Sequence, residues 1–154
     1  MTTVDAIQLK PQEIRALASE YIEIGVKQDS WEIMEVEIAG ESLNAEVRMC
    51  STYVSPTDAS GFHLTIFSTQ EFLSQLANIY LHVWAGYRKK TRELWMRDCH
   101  ITCIKPIRNP NSIQVEMHVP SIKETKGVVI GIAEFIVSDG DGGLFKARLK
   151  GVLG

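Results

Sequence analysis

Glu71, Gln75, Asn78 and His82 recur at intervals of four, three and four residues in the stretch Glu71 to Trp84, which apart from them and Ser74 is apolar. At about 100° per residue they crowd into an arc of roughly 60° on a helix, while Phe72, Leu73, Leu76, Ala77, Ile79, Tyr80, Leu81, Val83 and Trp84 cover roughly 200°. Polar groups carried into a core are costly unless they meet partners, solvent or a ligand, so this stripe is where chemistry is to be sought. A carboxylate can serve as general base or nucleophile, and carboxamides can orient water or a reacting carbonyl. His63, in the segment leading to the run, adds an imidazole.

Each of these residues also has a structural reading. Ser68 followed by Glu71 is a capping-box pattern and Gly86 a natural stop, so a helix is predicted over residues 68–86, and Glu71 either caps it or does chemistry. His63 is either a structural histidine or part of the site. Gln75 and Asn78 either tie the helix to a neighbouring subunit or face a ligand. His82 is expected to meet the negative end of the helix dipole or an interface, and Tyr80 and Trp84 are expected in the core. His100 and His118 fall on strands without ligand spacing, so no metal is assigned.

A length of 154 residues with a 45% hydrophobic fraction fits one domain spanning 1–154, with residues 1–29 as an N-terminal helical extension. A net charge of -3 offers no footprint for nucleic acid, and the short basic run Arg88-Lys89-Lys90 with Arg92 reads as a solvated face. Cys50, Cys99 and Cys103 are odd in number and lack Cys-x-x-Cys spacing, which points to reduced core residues rather than a zinc knuckle or disulfide framework. No basic segment precedes an apolar one at the N-terminus, and Ile79–Ala85 is too short to cross a bilayer, so a soluble, cytoplasmic protein with no membrane partner is expected.

The elements that must position the stripe follow in order. Pro11 to Ile22 has helical spacing, with Pro11 at a first helical position, and this helix is expected on the outside of the fold. Trp31 to Ile38 alternates with a shift of register through Met34, and Leu43, Ala45, Val47 and Met49 alternate cleanly, so a hairpin joins the two across Ala39–Ser42. A polar loop, Ser55–Gly61, and an extended segment, Phe62–Phe67, deliver the chain to the helix. Strands are predicted from Leu94 or Trp95 to Ile107 and over 112–119, 127–137 and 144–153. Asp139-Gly140-Asp141-Gly142-Gly143 lacks the spaced ligands and closing Glu of a calcium loop and reads as a flexible hairpin. An antiparallel sheet with a long helix inserted between its second and third strands gives an α+β arrangement, the helix covering the apolar face.

Residues 30 to 154 resemble the hotdog superfamily of acyl-thioester proteins. The likeness rests on the element order, Gly61-Phe62-His63, the helix segment Glu71-Phe72-Leu73-Ser74-Gln75-Leu76-Ala77, and Ile104-Lys105-Pro106-Ile107-Arg108-Asn109-Pro110. It implies a curved antiparallel sheet wrapped around a central helix, subunits that share active sites, and a homodimer or dimer of dimers. Within the superfamily, Phe72-Leu73-Ser74-Gln75-Leu76-Ala77 is most similar to the helix of FcoT-type long-chain acyl-CoA thioesterases. Those enzymes carry Asn where this chain has Ser74 and Thr65.

The activity implied is hydrolysis of an acyl-CoA or acyl-carrier-protein thioester, with no cofactor. Such chemistry needs a polarised carbonyl and an activated water or nucleophile. Free N–H groups near Thr69, Gln70 and Glu71 at the helix start would polarise the carbonyl, with the positive end of the dipole behind them. Glu71 is the candidate base or nucleophile, with His63, Gln75 and Asn78 beside it. Thr65, Ser68, Thr69, Gln70 and Ser74 are the candidate substrate-binding residues. Lys105 and Arg108 either meet the coenzyme or carrier or are solvated. Two alternatives stand: a hydroxyacyl-thioester dehydratase using His63 and Glu71, and a non-catalytic acyl-binding module of the same fold.

Overall fold

The apolar run folds as one helix, α2 (Ile66–Trp84), and the rest of the chain is arranged to cover it. The computed structural model describes residues 6–154, so the first five residues of the N-terminal extension lie outside it. Ahead of α2 come a short helix α1 (Pro11–Leu17), a small hairpin of β1 (Ile22–Glu23) and β2 (Val26–Lys27), and the long strands β3 (Ser30–Ala39) and β4 (Ser42–Ser51). After it come β5 (Leu94–Lys105), β6 (Ile113–Thr125), β7 (Val128–Ser138) and β8 (Leu144–Leu153). The six long strands form one antiparallel sheet in the order β3-β4-β6-β7-β8-β5. Because α2 touches both edge strands as well as β7 and β8 in the middle, the sheet curves round it.

Strict alternation builds the inner face. Leu43, Ala45, Val47 and Met49 of β4 are buried, and they meet Phe72, Leu73 and Leu76 of α2 in one core. Each such side chain contributes about 1.5–3 kcal/mol on burial, and this area rather than helix propensity keeps α2 in place. At Gly131 on β7 a Cβ would stand 3.0 Å from Leu81 Cδ2, so the helix can approach the sheet here only because that side chain is absent. Along β3 the register slips between Ile33 and Glu35, which puts a bulge at Met34 and aligns Trp31, Ile33, Val36 and Ile38 with the inward residues of β4.

Several expectations are corrected. Helix α2 begins two residues earlier than predicted and ends two earlier, with Ile66 and Phe67 helical rather than extended. Helix α1 stops at Leu17 and buries nothing, and Ile22 belongs to the unforeseen hairpin. Trp84 is 42% exposed and so outside the core, whereas Tyr80 is buried with its hydroxyl donating to the Gly40 carbonyl at 2.8 Å. The three cysteines are free thiols, as expected, but Cys50 and Cys103 are exposed and Cys99 is half-buried: Cys50 takes an outward position on β4, while Cys99 and Cys103 share the row of Ile101 on β5, an edge strand that leaves this row partly open.

The turn after β7 is tied by one buried carboxylate. Asp139, 2% exposed, accepts hydrogen bonds from the backbone N–H groups of Arg108, Asn109, Asp141 and Gly143. Burial pushes its carboxyl up, but these four amides pull it further down, so it lies below the ordinary range. The Arg108 guanidinium is spent on the carbonyls of Ser60 and Phe62. Among the described residues no helix is long and apolar enough to cross a membrane.

Candidate active site

Thr65, not Ser68, caps α2: its hydroxyl accepts the Ser68 N–H at 3.2 Å. The substitution of one cap for another moves the free donors. The Thr69 amide bonds to the Thr65 carbonyl at 3.1 Å, and the amides of Gln70 and Glu71 lie inside the helix, so none of the three is available to a ligand. The first helical amides are those of Ile66 and Phe67, the positions that a helix start leaves without intrahelical partners. The Thr69 hydroxyl is also committed, donating back to Thr65 O at 2.7 Å.

Released from capping, Glu71 takes part in a charged network that joins α2 to the segment before β3. Lys27 Nζ donates to Ser68 Oγ at 3.0 Å and to Glu71 Oε1, and stands 3.7 Å from Asp29 Oδ1. Trp31 Nε1 donates to the same Glu71 oxygen at 2.8 Å, and its ring meets Phe72 edge-on at 6.0 Å. Ser68 Oγ donates to Asp29 Oδ2 at 2.9 Å. Asp29 is buried, and its Oδ1 has no hydrogen-bond partner.

Glu71 is half-exposed, its side chain retaining 50% of its accessible surface. Burial raises its pKa; the hydrogen bonds from Lys27 and Trp31 and the Lys27 charge lower it further, leaving it below the ordinary carboxylate value. Both donors engage Oε1, and among the described residues Oε2 makes no hydrogen bond. A carboxylate steadied this way can take a proton from water or attack a carbonyl.

The remaining predicted residues divide. His63 is not brought to Glu71: its Nδ1 pairs with Asp58 Oδ2 at 3.2 Å on the preceding loop. Ser74 donates to the Glu71 carbonyl at 2.7 Å, a bond within the helix. Gln75 is exposed beside Glu71, and Asn78 is half-buried with its Oδ1 lacking a partner. Gln70 lies on the other flank of α2, where Ile66 and Gln70 face Cys99, His100 and Ile101 of β5 across a groove of about 280 Å3. His82 is a buried tie: Nδ1 bonds to the Asn78 carbonyl at 2.8 Å and Nε2 accepts the amides of Thr91 and Arg92. With Nε2 accepting, Nδ1 is the nitrogen that donates. His82 serves the loop after the helix rather than a subunit interface.

Lys27, Asp29 and Trp31 were not among the predicted site residues. Their spacing of two, which places all three on one face of an extended chain, is the signal that could have found them. Among the described residues no cluster of three or more His, Cys, Asp or Glu is placed to hold a metal ion.

No known family profile matches the sequence, and no curated protein sequence does. Solved structures do. A mutant of a thioesterase from Pseudomonas aeruginosa superposes with a TM-score of 0.55 at 14% identity, covering 82% of this chain and 81% of that one. A hypothetical thioesterase with coenzyme A from Streptococcus pneumoniae gives 0.55 at 9% identity over 81% of this chain and 86% of its own. Thioesterase superfamily member 2 from Mus musculus gives 0.51 at 17% identity over 80% and 82%. The chain has the hotdog fold: a curved antiparallel sheet around one long helix.

Proposed function

We propose that this chain hydrolyses acyl thioesters, of coenzyme A or of a carrier protein, releasing a carboxylic acid and a thiol. The observation that carries the reading is the Glu71 carboxylate, ionised and held on one oxygen by Lys27 and Trp31, with the other oxygen free of hydrogen bonds among the described residues. The fold, shared with structures described as thioesterases, one of them with coenzyme A, supports it.

In this scheme water adds to the thioester carbonyl carbon as its proton passes to Glu71 Oε2. The tetrahedral oxyanion draws on the amides of Ile66 and Phe67 at the positive end of α2. The C–S bond then breaks, and the departing sulfur takes the proton back from Glu71. Gln75 and Asn78 orient the water or the thioester. His63 has no part in it, and its pairing with Asp58 favours hydrolysis over dehydration, which would need the imidazole near Glu71. The protein works as a homo-oligomer: Trp95 and Ile104 stand exposed on the edge strand β5, an apolar edge suited to a second copy.

A second reading rests on the same ion pair. A carboxylate neutralised by Lys27 also suits a module that holds an acyl group without cleaving it.

Thiol release from a panel of acyl-CoA substrates, with wild type and Glu71→Gln in parallel, tests both. Release in wild type that falls at least about tenfold in the variant supports hydrolysis through Glu71. Release that persists removes Glu71 from the mechanism. No release from any substrate, with acyl-CoA raising Tm, replaces hydrolysis with binding.

A further inference from the structure

Lys27 stands between two carboxylates. Its Nζ donates to Glu71 Oε1 and, at 3.0 Å, to Ser68 Oγ. Asp29 Oδ1 is 3.7 Å from the same nitrogen, beyond hydrogen-bond reach but close enough to feel its charge, and that oxygen has no hydrogen-bond partner among the described residues. Ser68 Oγ closes the gap from the other side, donating to Asp29 Oδ2 at 2.9 Å. The series from Asp29 through Ser68 and Lys27 to Glu71 runs from the interior outward. The Asp29 side chain keeps 5% of its accessible surface and Ser68 none, whereas Lys27 keeps 17% and Glu71 50%.

Asp29 lies on the two-residue link between β2 and β3. The hairpin before that link is pinned by the Tyr21 ring against Phe67 at 6.1 Å, by the Gln28 amide on the Tyr21 carbonyl at 2.9 Å and by Tyr53 donating to Glu20 at 2.5 Å. A buried carboxylate is costly without a cation, and among the described residues Lys27 is the one that pairs with it. Distance gives Glu71 the larger claim on the ammonium. Burial favours Asp29, because water screens the half-exposed Glu71 more than the interior screens Asp29.

We propose that Asp29 is a positioning residue that divides the Lys27 charge with Glu71, leaving Glu71 steadied but still able to take a proton. The role rests on Glu71 being the base of the proposed hydrolysis. A carboxylate held wholly by one ammonium is ionised but a weak base, and sharing that ammonium keeps it a stronger one. The surrounding groups leave the division to Asp29. Trp31 is a neutral donor, Glu32 beside it on β3 pairs with Arg48, and His63 ahead of α2 pairs with Asp58. Cys99 and His100 of β5 line the groove on the Gln70 flank, and β7 and β8 turn apolar side chains to the core around α2.

The test is a carbon-13 titration of the side-chain carboxyls in the full chain, with Glu71→Gln and Asp29→Asn assigning the two signals. Asn keeps the shape of Asp29 and an acceptor for the Ser68 hydroxyl while removing the charge. In Asp29→Asn the Glu71 midpoint is expected about one pH unit lower than in wild type, because a like charge is gone and the ammonium is Glu71's alone. The acid limb of kcat/KM for acyl-CoA hydrolysis is expected to move with it. A midpoint that stays or rises overturns the proposal, since Asp29 is then only a tie for the link or an anchor whose loss lets Lys27 drift. Should circular dichroism show the variant unfolded, wild type carries the test. Its Glu71 signal must shift a second time where the Asp29 signal moves, and a Glu71 signal indifferent to Asp29 overturns the proposal. If wild type releases no thiol from any substrate while the midpoint falls as expected, the hydrolysis reading is lost and the division of charge stands.

Discussion

Lys27 and Glu71, 44 positions apart in the chain, form an ion pair at the start of α2 on the same carboxylate oxygen that Trp31 reaches at 2.8 Å. The contact couples the segment before β3 to the helix that carries the candidate base. It also sets the range of pH over which that base is available.

A base must be ionised to accept a proton, so turnover is lost as pH falls through its pKa. Lys27 holds that pKa below the ordinary value and extends activity toward acid. Lys27→Met keeps the apolar stem and removes the charge, so the acid limb of kcat/KM against pH is expected to move upward. An unmoved limb would show that Glu71 is not the group that titrates.

Asn78 holds a buried carbonyl oxygen with no partner. Replacing a buried, unsatisfied polar group by an apolar one of similar size is close to neutral or stabilising. Asn78→Leu is therefore expected to melt no lower than wild type while thiol release drops at least about tenfold, within what one positioned polar group supplies. A lower Tm with unchanged release would give Asn78 a structural role only.

Asp139→Ala leaves four backbone N–H groups without their acceptor and is expected to cost about 3 kcal/mol, read by urea denaturation. Its folded-state pKa is depressed, so the stability it gives is present above the unfolded carboxyl value near 3.8 and is lost as pH falls through the lower folded value. The gap between wild type and variant should therefore close in acid and nowhere else.

His82→Phe keeps the ring volume but offers no acceptor to the amides of Thr91 and Arg92. A loss of about 2 kcal/mol is expected, roughly 4–8 °C in Tm for a chain of this size. Hydrogen exchange at those two amides should rise in the variant, which a general loosening of the core would not single out.

What the sequence showed best was whatever a single element decides by itself. The apolar face of α2, the alternation of β4 and the slip at Met34 are periodicities, and the structure follows them. The start of α2 was misread because two cap signals overlap: Thr65 and Ser68 each precede a plausible first turn, and Ile66 and Phe67 suit a strand as well as a helix. The small hairpin turns through Ile24 and Gly25, both at positive φ, and an isoleucine there gives none of the usual turn signal.

The candidate site was legible only in half. Glu71, Gln75 and Asn78 stood out as polar groups on an apolar helix. Lys27, Asp29 and Trp31 did not: their spacing of two puts them on one face, but that this face meets α2 depends on how β3 lies along the helix. The exposed cysteines escape the expectation of a core position for a similar reason: Cys50 takes the outward face of β4 and Cys103 an edge strand, and residue type states neither.

The bulge at Met34 has one more consequence. Without that residue the strand would read Trp31, Glu32, Ile33, Glu35, Val36, Glu37, Ile38, a perfect alternation with every apolar side chain still inward. The core therefore does not need the extra residue, but the rim of the sheet does. A straight ten-residue border strand would be an open template for unwanted fibrillar growth, and an interrupted ladder flanked by glutamates is a poor one. The extra residue at Met34 therefore makes β3 a poor partner for the border strand of another chain.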